Sequence, residues 1–142
     1  MIQTTIRGVR LATIVLAAYW SLIFIATHIP KPPGISIPHL DKLVHLLAYS
    51  GLSFLLSWAL PTIPRHKLLN VFLAGLLAVT YGVIDEYSQI PVGRQADFFD
   101  WVADSAGTIL GLTIYVVARW QIVKRGKSQP VPSPRTLEAL QA

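Results

Sequence analysis

Residues that could perform chemistry are concentrated in one short part of the chain. Five of its seven acidic residues, and an arginine between them, fall within twenty positions. A charge placed in hydrocarbon costs roughly 2.5–3.5 kcal/mol on insertion scales. Because strongly apolar segments flank this window on both sides, its ionisable residues indicate a functional site. They are Asp85, Glu86, Arg94, Asp97, Asp100 and Asp104.

Two kinds of chemistry fit these residue types. The carboxylates could hold Mg²⁺, Mn²⁺ or Ca²⁺ through oxygen ligands, which makes a divalent cation the candidate cofactor. With Asp85 and Glu86, His45 is a candidate catalytic acid or base, and Arg94 could hold a phosphate or a carboxylate. The sequence has no zinc motif, nucleophile elbow or phosphate loop, and no cysteine. Whether the protein is an enzyme is therefore left open.

A second polar stripe lies on the segment that begins near position 41. Asp41, His45 and Tyr49 are spaced i, i+4, i+8 and share one face of a helix, with Ser53 next on that face. Asp41 is expected to cap this helix. The stripe predicts either a polar seam of interhelical hydrogen bonds or a site that contains His45. From this segment alone the seam is favoured.

The acidic window spans the end of one predicted helix and the start of the next. Asp85 shares a stripe with Tyr81 and Gln89 and lies near a helix C-terminus, where the macrodipole is negative. It therefore needs a compensating partner, such as Arg94, a cation or a proton. Asp97 is expected to cap the last helix, with Asp100 in its first turn. Capping does not explain Asp104, about 10 Å farther along that helix.

Composition indicates a membrane protein. Of 142 residues, 53% are hydrophobic and 13% are charged, whereas soluble domains carry about 25% charge. We predict an all-α, four-helix transmembrane bundle in a domain of residues 1–120, followed by a disordered polar tail, 121–142. The first span could instead be a signal peptide, but its length favours an uncleaved helix. The spans are expected at about 10–28, 41–60, 67–89 and 97–119.

Basic residues near the segment ends predict the orientation. Eight Lys and Arg residues fall on one side of the four spans and three on the other. By the positive-inside rule both termini are cytoplasmic, in the inner cell membrane, and the acidic cluster faces outward. Orientation then explains the net charge of +5 without a nucleic-acid partner.

Small residues at helical spacing follow the acidic window. Ala103, Gly107 and Gly111 form a stripe that includes a G-x-x-x-G pattern. Such stripes let helices approach closely in membranes. Packing within one chain is favoured over dimerisation.

Two stretches together resemble the VanZ-like family of small membrane proteins. They are DKLVHLLAYSGLSFLL and YGVIDEYSQIPVGRQADFFDWVADSAGTILG, and the resemblance covers about Pro38–Leu112. The family often has Asn where this chain has Asp104 or Ser105. Matching positions are Asp41, Lys42, His45, Tyr49, Asp85, Glu86, Gln89, Gly93, Arg94, Asp97, Asp100, Gly107 and Gly111.

The resemblance implies a location at the cell envelope. The namesake of the family is associated with low-level resistance to teicoplanin, a glycopeptide that acts at the outer face of the membrane. We therefore expect a protein that binds or modifies an envelope lipid or lipid-linked precursor, with an effect on antibiotic susceptibility as a further hypothesis. The alternatives are a structural or accessory role for the polar cluster and, less favoured, ion movement. The predicted binding residues are Asp41, Lys42, Tyr49, Gln89, Arg94, Asp97, Asp100 and Asp104.

Overall fold

Four long helices make up almost all of the fold, as the apolar segments predict. The computed structural model describes residues 5–6, 9–29, 40–60 and 67–127, with side chains for 10–29, 40–60 and 68–125. A two-residue antiparallel strand pair, β1 and β2, precedes the helices, and a short 3₁₀ helix, Ile90–Val92, joins the last two. The elements are β1 Thr5–Ile6, β2 Val9–Arg10, α1 Leu11–His28, α2 Leu40–Ala59, α3 Lys67–Ser88 and α4 Phe98–Lys127.

Three of these helices are long and apolar enough to cross a membrane. The qualifying segments are Leu11–His28, Leu68–Val92 and Phe98–Arg125. Their outer faces carry many exposed large hydrophobic side chains, among them Phe72 and Ile109. An apolar exterior of this extent is expected where the surrounding solvent is lipid rather than water. The chain is therefore a membrane protein.

Helix α2 lies at the centre of the bundle, packed against α1, α3 and α4. Its buried face carries the polar stripe of His45, Tyr49 and Ser53, with Ser57 beyond it. A central helix contacts protein on several sides, so it can carry polar groups that would be costly against lipid. This explains how α2 can carry a polar stripe within a bundle of apolar helices.

Glycines on α4 bring its backbone directly against α2. A Cβ atom added to Gly107 would overlap the carbonyl oxygen of Leu46, and one added to Gly111 would overlap that of Ser50. Ser53 Oγ also donates across this interface to the carbonyl oxygen of Thr108, at 3.0 Å. The small-residue stripe therefore serves packing within the chain, as predicted.

Two boundaries differ from the prediction. Helix α2 begins at Leu40, so Asp41 lies in its first turn and does not cap it; the positive end of the macrodipole still favours an acid there. Helix α4 extends to Lys127, so the prediction of disorder is wrong for residues 121–127. No proline interrupts this stretch, and Gln, Lys and Arg are good helix formers.

Several predictions concern residues outside the described ranges. These are the parts of the predicted domain at residues 1–4, 7–8, 30–39 and 61–66, and the remainder of the predicted tail at 128–142.

Candidate functional site

The polar ends of α2 and α4 are joined by a row of charged contacts. His45 Nδ1 lies 2.9 Å from Asp104 Oδ1, and His45 Nε2 lies 3.9 Å from Asp100 Oδ2. Lys42 Nζ donates to both Asp97 Oδ2 and Asp100 Oδ1, each at 2.9 Å. Lys42 and His45 lie on one face of α2. On the α4 side, the two residues that contact Lys42 are three positions apart and the two that contact His45 are four apart, so they share one face as well. His45 and Asp104 are both buried.

Asp97 caps α4, as predicted. Its Oδ1 accepts a hydrogen bond from the backbone N–H of Phe99 at 2.8 Å, and its carbonyl oxygen accepts from the N–H groups of Asp100 and Trp101. The Lys42 ammonium, and then the Phe99 N–H, hold the pKa of the Asp97 carboxyl below its usual range. Asp97 is thus a carboxylate held in place by both an ion pair and a helix terminus.

Asp85 is enclosed by three donors. Its Oδ1 accepts from Thr27 Oγ1 at 3.0 Å and from Tyr81 OH at 3.3 Å, and its Oδ2 accepts from Gln89 Nε2 at 3.1 Å. Tyr81 and Gln89 are the stripe neighbours that the helical spacing predicts. The partner that Asp85 requires near the C-terminus of α3 is thus a set of neutral donors rather than Arg94.

Arg94 instead ties the α3–α4 connection to α1 and α2. Gly93 adopts a left-handed conformation, with φ of 81°, and its N–H bonds to Ile90 after the 3₁₀ helix. A residue without Cβ adopts this conformation at no steric cost. The chain then reverses so that Arg94 Nη1 donates to the carbonyl oxygen of Thr27 at 2.9 Å, with Nη2 3.9 Å from Asp41 Oδ1.

Three buried side chains at the centre of the site have polar atoms without hydrogen-bond partners among the described residues. They are Glu86 Oε1, Asp104 Oδ2 and Tyr49 OH. The other carboxylate oxygen of each acid is bonded: Glu86 Oε2 accepts from the Asp97 N–H at 2.8 Å, and Asp104 Oδ1 contacts His45. A buried polar atom without a partner costs about 1–3 kcal/mol, so these atoms mark a place where a ligand would be stabilised.

Two cavities meet at this end of the bundle. The polar cavity, of about 570 Å³, lies over the start of α4 and is lined by residues 93–98 with Asp41 and Asp100. The apolar groove, of about 510 Å³, runs between α1 and α2. It extends from Tyr19 on α1 to Ile29 just after that helix, and from Val44 to Tyr49 on α2. Asp41 and Arg94 line both cavities.

Potential metal ligands form two overlapping sets that share His45. One set adds Asp41 and Asp100, and the other adds Glu86 and Asp104. In each set, one ligand atom from every residue lies within 4.8 Å of the others. A mixed set of imidazole and carboxylate ligands is a common donor set for Zn²⁺ and Mn²⁺.

All the residues predicted as site members lie at one end of the helices, although their roles remain predictions. Prediction missed α1: Thr27 bonds both Asp85 and Arg94, and His28 Nε2 lies 3.1 Å from Ser88 Oγ. The sequence does contain a signal for this contribution, because Thr27 and His28 are polar residues at the end of an uncharged span.

Comparison with known proteins agrees with the residue pattern. A model of the VanZ/LLP1 family matches residues 4–119, which include α1, α2, α3 and most of α4. No curated protein sequence and no solved structure matched the chain. The polar residues that converge at one end of the bundle all lie within the matched range, and on this evidence the chain belongs to the VanZ/LLP1 family.

Proposed function

We propose that this VanZ-like membrane protein binds an amphiphilic molecule of the cell envelope, such as a lipid or a lipid-linked precursor. The observation that carries the proposal is that the polar cavity and the apolar groove meet at Asp41 and Arg94. A molecule with a polar headgroup and an apolar chain matches a polar cavity that continues into an apolar groove. The headgroup would lie at Arg94 and the chain between α1 and α2.

The apolar groove has the size and lining of a ligand site. Its volume of about 510 Å³ lies in the usual range for small-molecule pockets, about 300–1,000 Å³. Its apolar lining includes Leu22, Ile23, Ala26, Val44 and Ala48. Leu22 and Val44 are also exposed on the outer surface of the bundle. An apolar chain could therefore enter sideways from the bilayer.

The charges around Arg94 favour a headgroup with both acceptors and donors. The guanidinium carries five N–H donors, and one of them bonds Thr27 within the described part of the chain. The remaining donors suit a phosphate or carboxylate group. Asp41 lies beside Arg94 and is 38% exposed at its side chain, so it suits a hydroxyl or ammonium group of the same ligand.

The orientation of the bundle belongs to the same proposal. In this view α2 also spans the membrane, both termini are cytoplasmic, and the two cavities open to the outer face of the inner membrane. The excess of Lys and Arg on the opposite side of the spans supports it. An effect on glycopeptide susceptibility would follow if the bound amphiphile belongs to the wall-building machinery.

A structural role is the second candidate, and the contacts of Asp85 favour it. With all its described bonds made to neutral donors on α1 and α3, this carboxylate ties two helices together. A cluster of this kind could order the bundle without binding a ligand. The two candidates differ in what Arg94 does: the first needs it for a ligand, the second only for its bond to α1.

Native mass spectrometry of gently extracted protein tests the proposal. We expect the wild-type protein to retain an amphiphile and the Arg94→Gln variant to lose most of it. Arg119→Gln is the matched control, because Arg119 bonds only Tyr115 among the described residues and lies at the other end of α4. The mass of the retained species would identify its chemical class.

The groove requires its own pair of variants. Ala26→Phe would fill part of the apolar groove, whereas Ala18→Phe places the same side chain at an exposed position of α1 outside it. We expect retention to fall only in Ala26→Phe. An empty wild-type protein, or equal retention in both members of each pair, would contradict the proposal and favour the structural role.

A further inference from the structure

We infer that His45, Glu86 and Asp104 form a binding site for a divalent transition-metal ion such as Mn²⁺ or Zn²⁺. These residues come from α2, α3 and α4, and their side chains lie close together between the three helices. The inference goes beyond the proposed function and does not require a bound amphiphile, because the metal alone is the ligand.

The three side chains are close enough to share one ion. One ligand atom from each lies within 4.8 Å of the others, and metal–ligand bonds of about 2.0–2.2 Å allow ligand atoms separated by up to roughly 4.4 Å around one ion. A small adjustment of rotamers therefore suffices. All three residues are at least 95% buried, so water does not compensate their charge.

Two buried carboxylate oxygen atoms are placed to bind a cation. Glu86 Oε1 and Asp104 Oδ2 are buried and have no hydrogen-bond partner among the described residues. Asp104 Oδ2 lies on the side of α4 that faces α3, since it would be 3.3 Å from a Cβ atom added to Gly82. Gly82 and Glu86 are one turn apart on α3, so both free oxygens belong to the same contact between α3 and α4.

Neighbouring acids have other partners. Three donors surround Asp85, and the Lys42 ammonium bonds both Asp97 and Asp100 at 2.9 Å. A cation in the alternative set of Asp41, His45 and Asp100 would lie close to that ammonium, which would repel it. The set with Glu86 and Asp104 avoids this repulsion and satisfies both free oxygens.

The donor set indicates which metals would bind. Imidazole suits Zn²⁺ and other transition metals, and carboxylates suit Mn²⁺ as well, whereas Mg²⁺ favours oxygen ligands and keeps several waters. Three protein ligands leave at least one coordination position open. Such an ion would also reduce the negative charge of the acidic residues around the site and so favour an anionic headgroup nearby.

A metal titration of the purified protein tests the inference. The full-length protein carries a tag without histidine, is stripped with a chelator in lipid nanodiscs, and is titrated with Mn²⁺ while free Mn²⁺ is followed by electron paramagnetic resonance. We expect one ion per chain, displaced by Zn²⁺. Glu86→Gln and Asp104→Asn should each weaken binding by at least about tenfold, the scale of lost ligand support in metal sites.

Two further variants keep the result interpretable. Glu138→Gln makes the same change as Glu86→Gln in the polar tail predicted at 121–142 and should bind Mn²⁺ as the wild type does. Asp100→Asn distinguishes the two ligand sets and should retain binding within a few-fold. Unfolding midpoints verify that each variant is folded.

The inference is overturned if the folded wild type binds no Mn²⁺ or Zn²⁺. It is equally overturned if Glu86→Gln and Asp104→Asn bind as tightly as the wild type, or if only Asp100→Asn loses binding. None of these results depends on retention of an amphiphile, so failure here and failure of the proposed function are separate outcomes.

Discussion

At the scale of single residues, the carboxylate of Asp85 links α1 to α3 through three hydrogen bonds. The helical repeat identifies Tyr81 and Gln89 as its neighbours, and both bond its carboxylate. The third donor, Thr27, is 58 positions away on α1, and no local pattern indicates that contact. Arg94, one of the possible partners that the sequence suggests for Asp85, is instead bonded to the Thr27 carbonyl oxygen. Spacing therefore predicts contacts along one helix, whereas contacts between helices depend on their packing.

Replacing Asp85 by Asn should destabilise the bundle. The amide NH₂ of Asn would replace one carboxylate oxygen and would face a group that now donates to that oxygen. At least one buried donor would then lack an acceptor. Hydrogen bonds to charged groups are worth about 1.5–3 kcal/mol each, so we expect a loss of that order in the free energy of unfolding in mixed micelles. Thr27→Val, which removes one neutral donor, should cost less. An unchanged unfolding free energy in Asp85→Asn would contradict this account of the network.

At the scale of the elements, the contact between α2 and α4 positions the site. Residue spacing predicts a small-residue stripe on α4 and a polar stripe on α2, but not that the two stripes face each other. In the structure Gly107 lies against Leu46, next to His45 in sequence, and Asp104 is one turn before Gly107. The close approach of the two backbones therefore sets the distance between the imidazole and the carboxylate.

Adding a methyl group at Gly107 should separate these helices. Overpacked positions cost about 1–3 kcal/mol, and here the Cβ atom would meet backbone atoms, with the Leu46 carbonyl carbon at 2.9 Å. We expect Gly107→Ala to lower the unfolding midpoint and to reduce the affinity for any ligand that contacts both His45 and Asp104. Gly75→Ala is the control, since its Cβ would meet only the end of the Leu112 side chain. Equal effects of the two substitutions would show that backbone contact is not the determinant.

At the scale of the whole molecule, convergence of the polar residues was predictable and the cavities were not. Counting Lys and Arg assigns the ends of the segments to one side or the other, and so predicts Asp41, Asp85 and Asp97 at the same level. In the structure Thr27 bonds both Asp85 and Arg94, Arg94 Nη2 lies 3.9 Å from Asp41 Oδ1, and the Asp97 N–H bonds Glu86, the neighbour of Asp85. The groove between α1 and α2 depends on helix crossing and on side chains such as Tyr19 and Leu22, which spacing along one helix does not determine. For the same reason α1 was not expected to contribute to the site.

Cysteine labelling in cells measures the proposed orientation. The chain has no native cysteine, so a single introduced thiol reports one position. Gln95 is exposed between α3 and α4, and Gln121 is exposed near the other end of α4. We expect a membrane-impermeant maleimide to label Gln95→Cys in intact cells and Gln121→Cys only after permeabilisation. The reverse pattern would place the site on the cytoplasmic face.

The most direct measurement is a crystal structure of the wild-type protein grown from a lipidic mesophase. It shows whether one molecule occupies both cavities, independently of any variant. We predict continuous ligand density that begins beside Arg94 and Asp41 and continues along the groove between α1 and α2, past Ile23 and Ala48. A groove closed by protein side chains, or lipid density only on the outer faces of the helices, would contradict the proposal that this end of the bundle is a ligand site.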